Sequence, residues 1–210
     1  MAADADVLLG SGTCFAISDD GLVATAAHVV EGAQEIVVRF GEDALLPAIV
    51  EAKSSAVDVA VLRIARQTKD YLRVVSDPSI SLGDHVFTVG FPRPQDLGLE
   101  AKFTDGVVSS LAVGGEKSLM QISVPVHSGN SGGALVSEDA VLYGVVVAKL
   151  KALAGETTNN ISYAVKATFL AAILDGDDVH RVGKPASRKE AIRLATAATC
   201  LVLTRTVGRK

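Results

Sequence analysis

Residues 129–135 read Gly-Asn-Ser-Gly-Gly-Ala-Leu, a serine between glycines at the start of an apolar stretch. Glycine permits backbone conformations that other residues resist, so the stretch predicts a tight turn that presents Ser131. The same glycines let a carbonyl group come close to the main-chain N–H groups of the turn. Small glycine-rich loops are common, however, and in isolation the stretch is compatible with a simple loop. Its interpretation therefore depends on the rest of the chain.

Two upstream segments carry the partners that a nucleophilic serine requires. Residues 24–30 read Ala-Thr-Ala-Ala-His-Val-Val, in which a strand leads into a helical turn that carries His28. Asp58 opens an apolar strand, where an ionised carboxylate is costly unless it is hydrogen-bonded and paired. Taken alone, His28 reads as a structural histidine and Asp58 as a turn or strand-edge residue. A serine nucleophile needs a base, and the base needs an orienting group, so the three become specific in combination.

Short runs rich in β-branched residues, separated by turn residues, occupy most of the chain from residue 11 to residue 165. The clearest runs are residues 36–40, 57–64, 86–91, 106–111, 141–147 and 161–165. Many short strands at such intervals predict an all-β sandwich or barrel. Short helices are predicted at residues 25–31 and 166–174. A third follows Ser187, which with Glu190 fits a capping box, and its continuation after residue 198 is compatible with either helix or strand.

The composition limits the class of protein. The 210 residues are 49% hydrophobic, enough for one large core or two small barrels packed together. A formal net charge of -4 gives no reason to expect a nucleic-acid or membrane partner. No run of residues suggests a metal site, a signal peptide or a membrane span, and the sequence predicts a cytoplasmic protein. Cys14 lies in an apolar run and reads as a buried free thiol, and Cys200 is the only other cysteine.

In combination, these segments resemble the chymotrypsin-fold (trypsin-like) serine proteases, and most of all the HtrA/DegP protease domain. The chain order His-Asp-Ser on an all-β background is that of the chymotrypsin fold. Matching segments follow the family's order between residues 8 and 174: 10–13, 25–30, 58–62, 89–92, 106–109, 129–135, 143–146 and 161–165. The resemblance implies an all-β fold of two six-stranded antiparallel barrels with a short C-terminal helix and tail.

The resemblance also implies roles for individual residues. Ser131 would attack a peptide carbonyl, His28 would accept and return the proton, and Asp58 would orient His28. The N–H groups of Gly129 and Ser131 would bind the oxyanion. The implied function is a serine endopeptidase that cleaves proteins or unfolded polypeptides through an acyl-enzyme, without metal or cofactor. Two alternatives are a partner-binding or sensor module with low or switched-off activity and an acyl-transfer enzyme that uses esters.

Substrate preference is predicted from positions relative to Ser131. The predicted pocket is lined by Pro125, Val126, His127, Val146, Val147, Ala148 and Ile161. No acidic residue stands six positions before Ser131, so the pocket predicts small or medium aliphatic residues rather than Lys or Arg. Asn130 replaces the aspartate that pairs with a freed N-terminus in zymogen-activated relatives, which predicts no activation of that kind.

The predicted domain organisation is a protease domain at residues 1–174, with its two barrels meeting near residues 75–85. Residues 175–186 are polar, contain glycine and proline, and predict a linker. Residues 187–210 predict a helical or strand tail that packs on the second barrel or binds a protein partner. The PDZ domain that follows many HtrA proteases is not expected. A polypeptide substrate is the main predicted partner, and the oligomeric state is left open.

Overall fold

Two closed β-barrels of six antiparallel strands each make up the fold in the computed structural model, which describes residues 7–147, 162–174 and 187–207. In sheet order, the strands of the first barrel are β1 (Val7–Ala16), β12 (Thr199–Val207), β3 (Glu35–Arg39), β4 (Leu46–Ser54), β5 (Val59–Ile64) and β2 (Leu22–Thr25). Those of the second are β10 (Leu142–Val147), β11 (Ser162–Lys166), β8 (Leu119–Ile122), β7 (Lys102–Ser110), β6 (His85–Gly90) and β9 (Ala134–Ser137). The predicted all-β fold of two six-stranded barrels is confirmed.

Four helices are described: α1 (Ala27–Val30), α2 (Pro94–Leu97), α3 (Ala167–Ala171) and α4 (Arg188–Ala198). Helix α1 follows β2 directly and ends before Gly32, which has φ +68°. Helix α4 begins as its capping box predicts, because the Ser187 hydroxyl accepts a bond from the Glu190 N–H. The predicted linker at residues 175–186 lies outside the described residues.

Alternation along the strands gives each barrel its own core and a third core between them. Cys14 and Ala16 of β1 face the interior of the first barrel, whereas Phe15 faces the second barrel. This follows from strand geometry, which sends successive side chains to opposite faces. Phe87 of β6 meets Phe15 in the same inter-barrel cluster. The two barrels are therefore joined by a continuous apolar interface, at whose edge the predicted site lies.

The C-terminal segment belongs to both barrels. Strand β12 pairs with β1 and β3, so the first barrel closes only when residues 199–207 are in place. Helix α4 contacts strands of both barrels, and its Ala191, Ala195 and Ala198 are buried in the inter-barrel core. The tail prediction of packing on the second barrel fits helix α4, whereas β12 is a strand of the first barrel. Unpaired edges on β1 and β3 would otherwise expose main-chain groups, and β12 satisfies them.

The two cysteines form a disulfide, which corrects the prediction of a free thiol at Cys14. Cys14 and Cys200 are directly opposite each other in the β1–β12 register, with Cα atoms 4.9 Å apart and both side chains fully buried. That separation lies within the range that a disulfide spans. A bond between residues 186 positions apart ties the last strand to the first.

Candidate active site

His28 and Asp58 meet on the first barrel. Helix α1 carries His28 shortly after β2, and Asp58 is the turn residue immediately before β5, which pairs with β2. Asp58 has φ +59°, a left-handed conformation that aspartate tolerates better than most residues. Strand pairing and this turn bring two residues that are 30 positions apart into contact.

Both oxygens of the Asp58 carboxylate bind His28. Oδ1 accepts a hydrogen bond from the His28 main-chain N–H at 2.8 Å, and Oδ2 lies 2.7 Å from the ring Nδ1. The ring is 48% exposed and the carboxylate 33%, so the pair is accessible from solvent. An ionised carboxylate opposite Nδ1 favours the tautomer with the proton on Nδ1, which leaves the lone pair on Nε2. His28 is thereby arranged to accept a proton at Nε2.

Ser131 comes from the second barrel but is bound by the first. Its carbonyl accepts a hydrogen bond of 2.8 Å from the Thr13 N–H of β1. The next residue, Gly132, has φ +88°, and a Cβ atom there would collide with Thr13, Thr25 and the Ala26 N–H. Only glycine permits this approach, which brings the segment of Ser131 against the residues that precede His28. Ser131 is 6% exposed.

The turn before Ser131 has a defined conformation. The Asn130 N–H donates to the His127 carbonyl at 3.0 Å, and Gly129 has φ +97°, which is the sign that a type II turn requires at its third residue. A Cβ atom on Gly129 would collide with the Phe91 carbonyl, so glycine is needed for space as well as for conformation.

Hydrogen bonds hold three successive carbonyl groups of this turn. The Ser128 carbonyl accepts from the Arg93 N–H at 2.8 Å, and the Gly129 carbonyl accepts from the Thr13 hydroxyl at 2.7 Å. The Asn130 carbonyl accepts from the Gly133 N–H at 3.0 Å. In a planar trans peptide the N–H points away from the C=O of the same unit. Fixing the Ser128 and Asn130 carbonyls therefore also fixes the directions of the Gly129 and Ser131 N–H groups.

The residues predicted to line the pocket are only partly described. Pro125 and His127 are exposed in the loop after β8, and Val126 packs against the second-barrel core. Val146 is fully buried within that core, and Val147 faces the inter-barrel cluster. Ala148 and Ile161 lie outside the described residues. The pocket assignment therefore stays a prediction.

Sequence reasoning missed two supports of the turn. Thr13 was recognised only as part of a matching segment, and Arg93 was not singled out. Arg93 has φ +45°, and its N–H binds the turn while its guanidinium pairs with Asp96. A hydroxyl residue in an apolar strand was the available signal for Thr13, but its partners lie 78 and 116 positions away.

Comparison with known proteins identifies the family. A family model described as "Trypsin-like peptidase domain" matches residues 12–145. The chain belongs to the trypsin-like peptidase family. Within the described ranges this trypsin-like peptidase domain has no cluster of three or more His, Cys, Asp or Glu residues that could hold a metal ion. None of its described helices is both long and apolar enough to cross a membrane.

Individual relatives point to the HtrA branch of the trypsin-like peptidases. A DegP-like probable periplasmic serine endoprotease of Halomonas elongata is 33% identical over 65% of this chain and 28% of its own length. Serine endoprotease DegS of Haemophilus influenzae is 28% identical over 75% of this chain and 46% of its own length. An uncharacterized protein of Sinorhizobium fredii, y4bJ, is 33% identical over 90% of this chain and 32% of its own length.

The solved structures agree with this grouping. The crystal structure of a serine endoprotease from Yersinia pestis matches with a TM-score of 0.62 and 27% identity, covering 81% of this chain and 61% of that chain. The chain spans 28% to 46% of the length of these curated relatives. The resemblance of the sequence to HtrA proteases is confirmed.

Proposed function

We propose that this chain is a serine endopeptidase domain that cleaves polypeptides through an acyl-enzyme. In this mechanism Ser131 attacks the carbonyl carbon, and its proton passes to Nε2 of His28. Asp58 holds the ring in the required tautomer and stabilises the imidazolium that forms. His28 then gives the proton to the leaving amine, and a water molecule hydrolyses the acyl-enzyme by the same path. The observation that supports this most strongly is the double contact of Asp58 with His28.

The proposed oxyanion site consists of the N–H groups of Gly129 and Ser131. The Ser128 carbonyl accepts a hydrogen bond from the Arg93 N–H, and the Asn130 carbonyl accepts one from the Gly133 N–H. The N–H groups of Gly129 and Ser131, which belong to the same two peptide units, therefore point away from these carbonyls. Donors that are already oriented need no reorganisation during the reaction, and one such donor contributes about 3 kcal/mol to transition-state stabilisation. We infer that the turn is set for catalysis before substrate binds.

Labelling with a fluorophosphonate probe tests the nucleophile. The folded wild-type domain should take up one label, which mass spectrometry should locate on Ser131. Ser131→Ala should fold normally, as judged by circular dichroism, and should take up none. A folded wild-type domain that does not label would favour the alternative of a partner-binding or sensor module with its activity switched off.

The substrate preference rests on the predicted pocket. We propose that small or medium aliphatic residues are accepted before the scissile bond, because no acidic residue stands six positions before Ser131 to bind Lys or Arg. Mass-spectrometric profiling of cleavage in a peptide library should give mainly Val, Ala, Leu or Ile at that position. Dominant cleavage after Lys or Arg would contradict the proposed pocket without affecting the triad.

The cellular compartment of the protein is a separate question, on which the sequence and the disulfide point in different directions. The sequence predicts the cytoplasm, whereas the Cys14–Cys200 disulfide favours an oxidising compartment, because disulfides persist there and are rare in reducing ones. Cell fractionation with an antibody against the chain decides between the two.

A further inference from the structure

The side chain of Thr13 lies between the two barrels. Thr13 is on β1 and is completely buried. Because Cys14 and Ala16 face the interior of the first barrel, Thr13 faces the opposite side, toward the second barrel. Its main chain is held within the first barrel, where the Thr13 carbonyl accepts a 2.8 Å bond from the Thr25 hydroxyl. A rigid strand of one barrel therefore presents a hydroxyl group to the other.

That hydroxyl joins two main-chain segments of the second barrel. Thr13 Oγ1 donates to the Gly129 carbonyl at 2.7 Å and accepts from the Phe91 N–H at 3.1 Å. Its donor and one acceptor position are both used, which a valine of the same shape could not reproduce. Loss of the hydroxyl would leave a buried carbonyl and a buried N–H without this partner, an arrangement that costs free energy.

The Gly129 carbonyl belongs to the peptide unit between the two proposed oxyanion donors. Holding that carbonyl fixes the plane of the peptide that links Gly129 to Asn130. The same peptide's N–H closes the turn onto the His127 carbonyl. Thr13 also binds the Ser131 carbonyl through its own N–H. Thr13 of the first barrel thus binds the carbonyls of both Gly129 and Ser131, on either side of Asn130 in the second barrel.

We propose that Thr13 is a positioning residue whose hydroxyl holds the Gly129 carbonyl and so keeps the turn of residues 128–131 in its catalytic conformation. This inference rests on the proposed function. It implies that the first barrel supplies His28 and Asp58 and also sets the geometry of the oxyanion site in the second. Thr13 does not touch the substrate, and it acts only through the turn.

Three variants test the proposal. Thr13→Val keeps the shape and removes the hydroxyl, and Thr13→Ser keeps the hydroxyl and removes the methyl group. Thr199→Val is the matched control, because Thr199 is also buried and its hydroxyl also donates to a carbonyl, that of Ala195, which belongs to helix α4 and not to the turn of residues 128–131. A purely structural role for Thr13 would make Thr13→Val resemble this control.

Two measurements should separate the variants: steady-state kinetics on a peptide substrate, and amide hydrogen exchange at Asn130, whose N–H closes the turn onto the His127 carbonyl, by NMR. We expect Thr13→Val to lower kcat about 10²-fold with little change in KM, as a misplaced oxyanion donor does. Exchange at the turn should be faster in the same variant. Thr13→Ser should restore both values to near wild type, and Thr199→Val should alter neither.

The proposal is overturned if Thr13→Val keeps wild-type kcat and wild-type exchange at the turn, or if Thr199→Val lowers kcat equally. A folded wild-type domain that neither labels nor cleaves any peptide would instead remove the proposed function. Exchange at the Asn130 amide does not depend on activity. In that case unchanged exchange in Thr13→Val would still refute the anchoring role of Thr13, while faster exchange would support it.

Discussion

Asp58 accepts hydrogen bonds from both the main chain and the ring of His28, and these two bonds define its role. An asparagine at this position could still occupy the space, but its amide group would favour the wrong ring tautomer. We expect Asp58→Asn to fold normally and to lower kcat by about 10⁴-fold. Peptide hydrolysis measures this change. Asp43→Asn is the control, since Asp43 forms only an exposed ion pair with Arg66. Equal activity in the two variants would contradict the role given to Asp58.

Asn130 is a second informative residue. It is 2% exposed, and its side-chain oxygen has no hydrogen-bond partner among the described residues. Asn130→Asp would bury a carboxylate for which the described part of the chain provides no hydrogen-bond donor, so we expect a loss of about 3–5 kcal/mol in the free energy of unfolding near neutral pH.

The pH dependence of Asn130→Asp follows from its burial. Burial would raise the pKa of the introduced carboxyl in the folded state above its unfolded value. The loss should therefore be small below the ordinary aspartate pKa and should grow as the pH rises above it. Urea unfolding of the variant and of wild type at about pH 4 and about pH 7 measures this difference. If the variant were as stable as wild type at both pH values, a cation would have to reach the introduced carboxylate.

At the scale of elements, strand β12 and its disulfide complete the first barrel. Replacing both cysteines, Cys14→Ala with Cys200→Ala, removes a cross-link between residues 186 positions apart. We expect the free energy of unfolding to fall by about 2–5 kcal/mol, because the unfolded chain gains freedom. Denaturant unfolding of the oxidised wild type and the double variant tests this, and reduced wild type under denaturant should approach the variant. Equal stability of the oxidised protein and the variant would show that the cross-link contributes nothing.

Helix α4 connects this strand to the second barrel. Arg188 at its start pairs with Asp105 and Glu138 of the second barrel, and Ala191 and Ala195 fill the space between the barrels. Exposed ion pairs of this kind contribute little, so the apolar side chains of the helix, which include Ile192 and Leu194, provide most of the attachment. The C-terminal helix and strand therefore join the two barrels to each other.

What the sequence predicted depends on how far apart the interacting residues lie along the chain. His28, Asp58 and Ser131 each sit in a local motif, and turn residues marked the short strands. The pairing of β12 with β1 joins the two ends of the chain, and nothing near Cys200 in the sequence indicates Cys14 as its partner. Thr13 was missed for the same reason, because its hydroxyl binds Gly129 and Phe91 of the other barrel. Such contacts arise only when both barrels have closed.

At the scale of the whole molecule, the two barrels divide the chemistry between them. In the proposed mechanism the first supplies the base and its orienting carboxylate, and the second supplies Ser131 and the turn, which Thr13 of the first barrel contacts. A substrate of this mechanism would have to reach residues of both barrels. The proposed mechanism therefore requires that both barrels be correctly packed before a peptide bond can be cleaved.

Hydrolysis of an unfolded polypeptide tests the central claim most directly. Reduced and alkylated casein, incubated with purified wild type and with Ser131→Ala, can be followed by mass spectrometry of the new peptide termini. The account predicts internal cleavage, mainly after aliphatic residues, by the wild type and none by Ser131→Ala. Equal cleavage by the two proteins, or none by a wild-type domain that is folded, would contradict it.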